Sequence, residues 1–114
     1  MKLVNLCKHD VDVVDVAGLP LLKVPPSGKV AVIATQQIEQ GHIQPEGETV
    51  LVPAFTIRRG EVEGLPPPEE GVVYITGALV REASPHRKDV ASPGDQLRDE
   101  KGRPIGCKGL IFNS

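Results

Sequence analysis

Hydrophobic side chains follow the alternation of β-strands over most of this chain. Aliphatic and polar residues alternate over residues 11–16, with one slip after Val13, and a second apolar segment covers residues 19–24. Ala17 and Gly18 separate the two segments, so together they predict a β-hairpin. Pro20 predicts that its strand lies at a sheet edge or a bulge, because proline has no amide proton to donate to a ladder.

Turn residues divide the remaining apolar segments into further short strands. The predicted strands cover residues 2–6, 29–35, 49–58 and 71–75. Residues 25–28 (Pro-Pro-Ser-Gly) and 46–48 predict tight turns, because proline presets φ and glycine accepts positive φ. Residues 36–45 are polar apart from Ile38 and Ile43, which fits either a looser strand or an extended loop. The Leu-Pro-Pro-Pro sequence of residues 65–68 predicts an extended connector.

Only one segment predicts a helix. Residues 77–83 lack alternation and end before Pro85, and Thr76 is placed to accept an amide hydrogen bond as the N-cap. Residues 84–94 read as a loop, and residues 96–99 and 104–112 as a hairpin around the turn at 100–102. The predicted fold is mainly β, a small barrel or sandwich-like roll with one short helix near 77–83, in a single domain spanning residues 1–114.

The composition predicts a thin core and a balanced charge. Three aromatic residues are present, Phe55, Tyr74 and Phe112, and there is no Trp. Aromatic side chains bury the most area per residue, so their scarcity predicts that further surface is buried in a homo-oligomer. With 13 basic and 15 acidic residues the net charge is −2, which argues against a sequence-specific nucleic-acid binder.

Two cysteines lie near opposite ends of the chain, at Cys7 and Cys107. Their separation, with no export-like segment and no apolar run of about 20 residues, predicts reduced thiols, a cytoplasmic location and no membrane partner. A disulfide between the two terminal segments is the less favoured alternative.

No motif in the sequence predicts catalysis, a metal or a cofactor. The histidines lack the compact spacing of a zinc site, and phosphate-binding glycine loops and a Gly-x-Ser-x-Gly elbow are missing. We therefore predict no catalytic residue, no metal ligand and no cofactor. A small hydrolase that uses Cys7 or Cys107 with a histidine stays open as an alternative.

Basic residues near the C-terminal end are the candidate site. A planar guanidinium binds phosphate or carboxylate through paired hydrogen bonds, and loops hold such groups in place. The predicted ligand-binding residues are His86, Arg87, Arg98, Arg103 and, as a weaker addition, His9. The competing interpretation is structural: Arg87 pairs with Asp89, or these two pair with Arg98 and Asp99, and the loop is stapled to the sheet.

Several short motifs, spread over nearly the whole chain, resemble a family of short proteins from phages, prophages and some bacterial genomes. The motifs are Val4-Asn5-Leu6 with His9, Pro25-Pro26-Ser27-Gly28, Gly64-Leu65-Pro66, Val73-Tyr74-Ile75, Pro85 with Arg87 and Asp89, and Arg98-Asp99-Glu100 with Gly102. The family has no settled activity, so the resemblance implies a phage or mobile-element setting and a bacterial cytoplasm. Proteins of that setting include oligomeric sponges that sequester nucleotide signals of host defence.

Three functions follow as hypotheses. The first is a non-catalytic homo-oligomer that binds a small anionic ligand such as a nucleotide. The second is a protein-interaction or virion-assembly module that uses exposed strand edges and residues 65–68. The third is the small hydrolase.

Overall fold

Ten strands and one short helix make up the chain, which is mainly β. The computed structural model describes all residues, Met1–Ser114. The elements are β1 (Lys2–Asn5), β2 (Val11–Val14), β3 (Pro20–Val24), β4 (Val32–Ile43), β5 (Val52–Glu63), β6 (Val72–Ile75), α1 (Ala78–Glu82), β7 (Val90–Pro93), β8 (Gln96–Arg98), β9 (Pro104–Lys108) and β10 (Leu110–Phe112). The helix has five residues, and no helix has the length and apolar character needed to cross a bilayer.

The strands form three separate open sheets. One has the order β1-β6-β7-β10, the second β3-β2-β9-β8, and the third consists of β4 and β5 alone. In the first sheet β1, β6 and β7 are parallel, and β10 is antiparallel to β7. No sheet closes on itself, so the barrel alternative is wrong. The two four-stranded sheets contribute to one core, an arrangement compatible with the sandwich-like alternative.

The main core lies between the two four-stranded sheets. Alternation in β2 points Val11 and Val13 inward, where they meet Ile75 of β6 and Cys107 of β9. The slip in alternation after Val13 is a register shift between Val13 and Val14 in the β2–β3 pair. β3 is an edge strand, which confirms the prediction from Pro20.

A second core covers the other face of the β1-β6-β7-β10 sheet. Leu6, Tyr74 and Val80 form it together with Ala31, and Val80 is the one buried residue of α1. Ile33 and Val62, at the base of the β4–β5 pair, pack against this cluster. The β1-β6-β7-β10 sheet is therefore covered on both faces.

Two local predictions are wrong. Residues 84–94 are not all loop, because Val90–Pro93 forms β7 in the middle of the sheet. Val90, Ala91 and Ser92 are buried, and a central strand buried on both faces shows no alternation. Thr76 does not cap α1: Gly77 is the N-cap, and the Thr76 hydroxyl donates to the Gly77 carbonyl at 2.9 Å.

The β4–β5 pair projects from the body, and we call residues 32–63 the arm. Each of its strands has 12 residues, a length of about 40 Å at the usual rise of a strand. The molecule measures 57 × 40 × 27 Å and its radius of gyration is 18.2 Å, whereas a globular chain of this length has about 13 Å. Residues 36–45, which fit either a strand or a loop in the sequence, mostly continue β4 in this arm.

Candidate interaction arm and ligand cleft

The arm has almost no core of its own. None of its strand residues is buried, and in β4 only Ile33 and Ile38 are even half-buried. Isolated two-stranded hairpins are marginally stable in water and usually need a further layer packed on them. Only the base of the arm has such a layer within this chain, so the outer part is left uncovered.

One face of the arm carries an exposed apolar pair. Alternation along β5 puts Phe55, Ile57 and Arg59 on the same face, and the pairing register adds Glu39 opposite Phe55 and Gln37 opposite Ile57. Phe55 is 52% exposed and Ile57 is 65% exposed. We call this face, with Phe55 and Ile57 at its centre, the apolar face of the arm.

The opposite face is more polar. Thr56 and Arg58 lie there, and Gln40 donates a hydrogen bond to the Thr56 hydroxyl at 3.2 Å. Ala54 and Ile38, on this side, are half-buried rather than exposed. The two faces therefore differ in the middle of the arm, where the exposed large apolar side chains are Phe55 and Ile57.

The base of the arm is fixed to the body. Arg59 approaches Glu82 of α1 at 3.9 Å, with both side chains about half exposed. Gly64, just after β5, has φ of +82°, and a Cβ there would lie 2.4 Å from the Val30 carbonyl oxygen. Glycine therefore permits a close backbone approach that sets the direction in which the arm leaves the body.

The long edges of the arm are poorly suited to pairing with another strand. The register of β4 and β5 shifts twice, between Ile33 and Thr35 and between Glu39 and His42. Pro53 interrupts the ladder near the second shift, and proteins use such bulges and prolines to prevent edge-to-edge association. Contacts to another molecule are consequently better made through a face of the arm than through its edges.

Arg87, one of the predicted ligand-binding residues, is engaged within the chain. Its Nε and Nη2 atoms donate to the two carboxylate oxygens of Asp89, each at 2.9 Å, and Nη2 also donates to the Pro66 carbonyl at 2.9 Å. The side chains of Arg87 and Asp89 are 14% and 20% exposed. Hydrogen bonding to the guanidinium lowers the pKa of Asp89, and the same bond raises the pKa of Arg87. This geometry matches the competing structural interpretation, in which Arg87 pairs with Asp89 and fixes the loop to the sheet.

Asn113 holds the same loop from the other side. Its Nδ2 donates to the carbonyls of Arg81, Ser84 and Arg87 at 2.8–3.2 Å, and its Oδ1 accepts from Arg81 Nη1 at 3.2 Å. His86, between these anchored positions, is exposed. Hydrogen bonds therefore anchor the loop on both sides of His86, which is its solvent-facing candidate.

The other two predicted arginines lie on the β8–β9 hairpin. Arg98 donates to the Gly102 carbonyl at 2.9 Å and to the Gln96 side chain at 3.0 Å, and Arg103 donates to Asp99 at 3.2 Å. No hydrogen bond or ion pair links them to His86 or Arg87. The structure thus divides the predicted residues between two separate places.

His9 lines a shallow cleft of about 330 Å³ between the β1–β2 connection and the β8–β9 hairpin. Gln96, which accepts from Arg98, lines the same cleft, as do Pro104 and Cys107. Asp10 and Asp12 add negative charge, and Lys23 lies 3.8 Å from each of their carboxylates. Of the predicted residues, His9 lines this cleft itself, and Arg98 contacts it only through Gln96.

The cysteines show no activated arrangement. Both thiols are free; Cys107 is buried, and burial raises the pKa of the half-buried Cys7. His9 and Cys107 line one cleft, but no hydrogen bond joins them, and the His9 Nδ1 contacts the Asp10 carbonyl at 2.9 Å. No group of three or more His, Cys, Asp or Glu residues is arranged to hold a metal ion.

A scan against protein-family models and searches of curated proteins and of solved structures gave no match. The sequence reasoning missed the arm as a binding element because it treated residues 29–35, 36–45 and 49–58 as separate pieces. The usable signal was strand-like sequence on both sides of the predicted turn at residues 46–48, with Phe55, one of three aromatics, well away from the other two.

Proposed function

We propose that this chain is a non-catalytic binding protein that acts as an interaction or assembly module, with the arm as its binding element. The observation that carries the proposal is the uncovered apolar face around Phe55 and Ile57. More than a quarter of the chain, residues 32–63, projects from the body and adds little to its core. A structure of this kind gains stability mainly when another surface packs on it.

The polar surroundings of the apolar face also support a binding role. Protein interfaces commonly have an apolar centre with an aromatic residue and a polar rim. Phe55 and Ile57 supply the centre, and Glu39, Gln37 and Arg59 lie beside it on the same face. The phage or mobile-element setting implied by the sequence motifs is compatible with an assembly role.

A capture experiment with matched variants tests this proposal. Wild-type protein, Ile57→Asp and Thr56→Asp are immobilised, and retained proteins are identified and then tested again with purified components. Thr56→Asp is the control, because it places the same charge on the neighbouring residue but on the opposite face. We expect a partner, including further copies of this chain, to be retained by wild type and Thr56→Asp and lost with Ile57→Asp. Equal retention by all three proteins, or retention by none, contradicts the proposal.

The cleft beside His9 supports a second candidate, binding of a small anionic ligand such as a nucleotide. Under it the protein sequesters a nucleotide signal of host defence without altering it. The observation in its favour is that His9 and Gln96 line the cleft and that Arg98 donates to Gln96 at its border. Asp10 and Asp12 oppose an anion there, which is why this candidate ranks second.

Native mass spectrometry with a panel of linear and cyclic nucleotides tests the second candidate. We expect a stoichiometric, chemically unchanged adduct that is lost with Arg98→Ala or His9→Ala and kept with Lys101→Ala, a control at the exposed tip of the same hairpin. No adduct with any nucleotide, or an adduct insensitive to these changes, removes the cleft as the site.

A further inference from the structure

We infer that the partner seated on the apolar face of the arm is a second copy of this chain, related by a two-fold axis that passes close to Ile57. This inference rests on the proposed function and specifies the occupant of the same surface. Two arms pack face to face with their strands antiparallel. Ile57 of one copy then contacts the same residue of the other, as in any contact on a two-fold axis.

The charge pattern on the face is self-complementary under this symmetry. Arg59 and Phe55 lie two residues on either side of Ile57, and Glu39 is the cross-strand neighbour of Phe55. The two-fold axis therefore brings Arg59 of each copy over Phe55 of the other and within reach of its Glu39. A guanidinium over an aromatic ring and beside a carboxylate is favourable on both counts. Each contact is made twice in the dimer.

Existing contacts of these charges do not prevent the pairing. The approach of Arg59 to Glu82 is 3.9 Å and both side chains are about half exposed, so it is worth little in water. Glu39 forms no ion pair within the chain. Both groups are therefore free to face a second molecule.

The apolar face supplies part of the area that a stable dimer needs. Phe55 is 52% exposed and Ile57 is 65% exposed, so at on the order of 200 Å² for a fully exposed large apolar residue they present roughly 230 Å². Alternation places Val32, Ile43 and Val52 on the opposite face, so they add nothing to this surface. A standard interface buries about 800 Å² per partner, and the polar residues beside Phe55 and Ile57 therefore contribute much of the contact.

Sedimentation equilibrium over a range of concentrations tests the inference, with four variants beside wild type. Ile57→Asp puts two carboxylates at the two-fold axis, and we expect a monomer. Arg59→Glu and Glu39→Arg should each raise the dimer dissociation constant at least about tenfold, and the double reversal should recover most of the loss. Arg58→Glu, on the opposite face, should leave the dimer unchanged. Far-UV circular dichroism checks that each variant is folded.

Recovery in the double reversal is the decisive result, because only a surface that binds its own copy is restored by exchanging two charges within one chain. A wild-type monomer at all concentrations overturns the second copy as partner, whereas the proposed function is then decided by the capture experiment. A dimer that survives Ile57→Asp overturns the inferred interface. In that event, the loss or retention of other partners by Ile57→Asp shows separately whether the arm binds.

Discussion

Replacing Arg87 with alanine should destabilise the fold far more than its position in a loop implies. The change removes two hydrogen bonds to Asp89 and one to the Pro66 carbonyl. It also leaves the Asp89 carboxylate, 20% exposed, without its counter-ion. Breaking a fully buried ion pair from one side costs about 3–5 kcal/mol. Since some solvent reaches this pair, we expect a loss of about 3 kcal/mol.

Urea denaturation at one fixed protein concentration measures this loss, together with thermal unfolding. For a chain of this length, about 3 kcal/mol corresponds to a fall in Tm of about 10–15 °C. Arg98→Ala is the control, because its hydrogen bonds lie in an exposed hairpin and its loss should change stability by less than about 0.5 kcal/mol.

A double-mutant cycle with Asp89→Ala separates the pair from general effects of truncation. The double variant should be more stable than the sum of the two single losses implies, by about 2 kcal/mol, because neither charge is then left alone. If Arg87→Ala lowers stability no more than Arg98→Ala does, the Arg87–Asp89 pair does not stabilise the fold. The guanidinium would then again be a candidate for ligand binding.

Three further predictions concern stability and reactivity. The pKa of Asp89 is lowered in the folded state, so the stability that it contributes is present above the ordinary aspartate pKa of about 3.9 and is lost as pH falls through the folded value. When the unfolding free energy is measured as a function of acid pH, Asp89→Asn should lack this part of the slope. An identical slope in the variant contradicts the pairing. Gly64→Ala should lower the free energy of unfolding, measured by urea denaturation, by at least about 2 kcal/mol, because the new Cβ would meet the Val30 carbonyl. Gly71→Ala is the control: Gly71 has φ of +76° and open space around it, so the loss should be about 1 kcal/mol. Equal losses argue against the close contact. Burial raises the pKa of Cys7, so at pH 8 its thiol should react with a disulfide reagent more slowly in the folded protein than in urea, and equal rates contradict this.

Much of the body could be predicted from its sequence because its strands are bounded by turn residues. The hairpin of β2 and β3, the slip at Val13, the edge position of Pro20 and the short helix all follow local rules. β7 could not be predicted in this way, because Val90, Ala91 and Ser92 lie between two strands and are buried on both faces. Their environment is set by β6 and β10, which are distant in sequence.

The candidate site was harder to predict than the fold. Arg87 and Asp89 are two residues apart, so their pairing could be weighed from sequence, but the Pro66 carbonyl that completes the staple depends on the tertiary structure. The exposure of Phe55 and Ile57 could not be predicted, since alternating apolar residues in a strand normally indicate a buried face. Only the projection of the arm from the body shows that nothing within the chain covers them.

Hydrogen exchange of the arm at two protein concentrations, about 1 µM and about 200 µM, tests the central claim most directly. A two-stranded ribbon without a covering layer opens readily, so its amides should exchange fast in dilute protein. At the higher concentration the second copy covers the apolar face, and we expect residues 35–58 to become protected while β6 and β7 stay unchanged. Exchange in the arm that is slow at both concentrations, or fast at both, contradicts the claim that a second copy stabilises the arm through its apolar face.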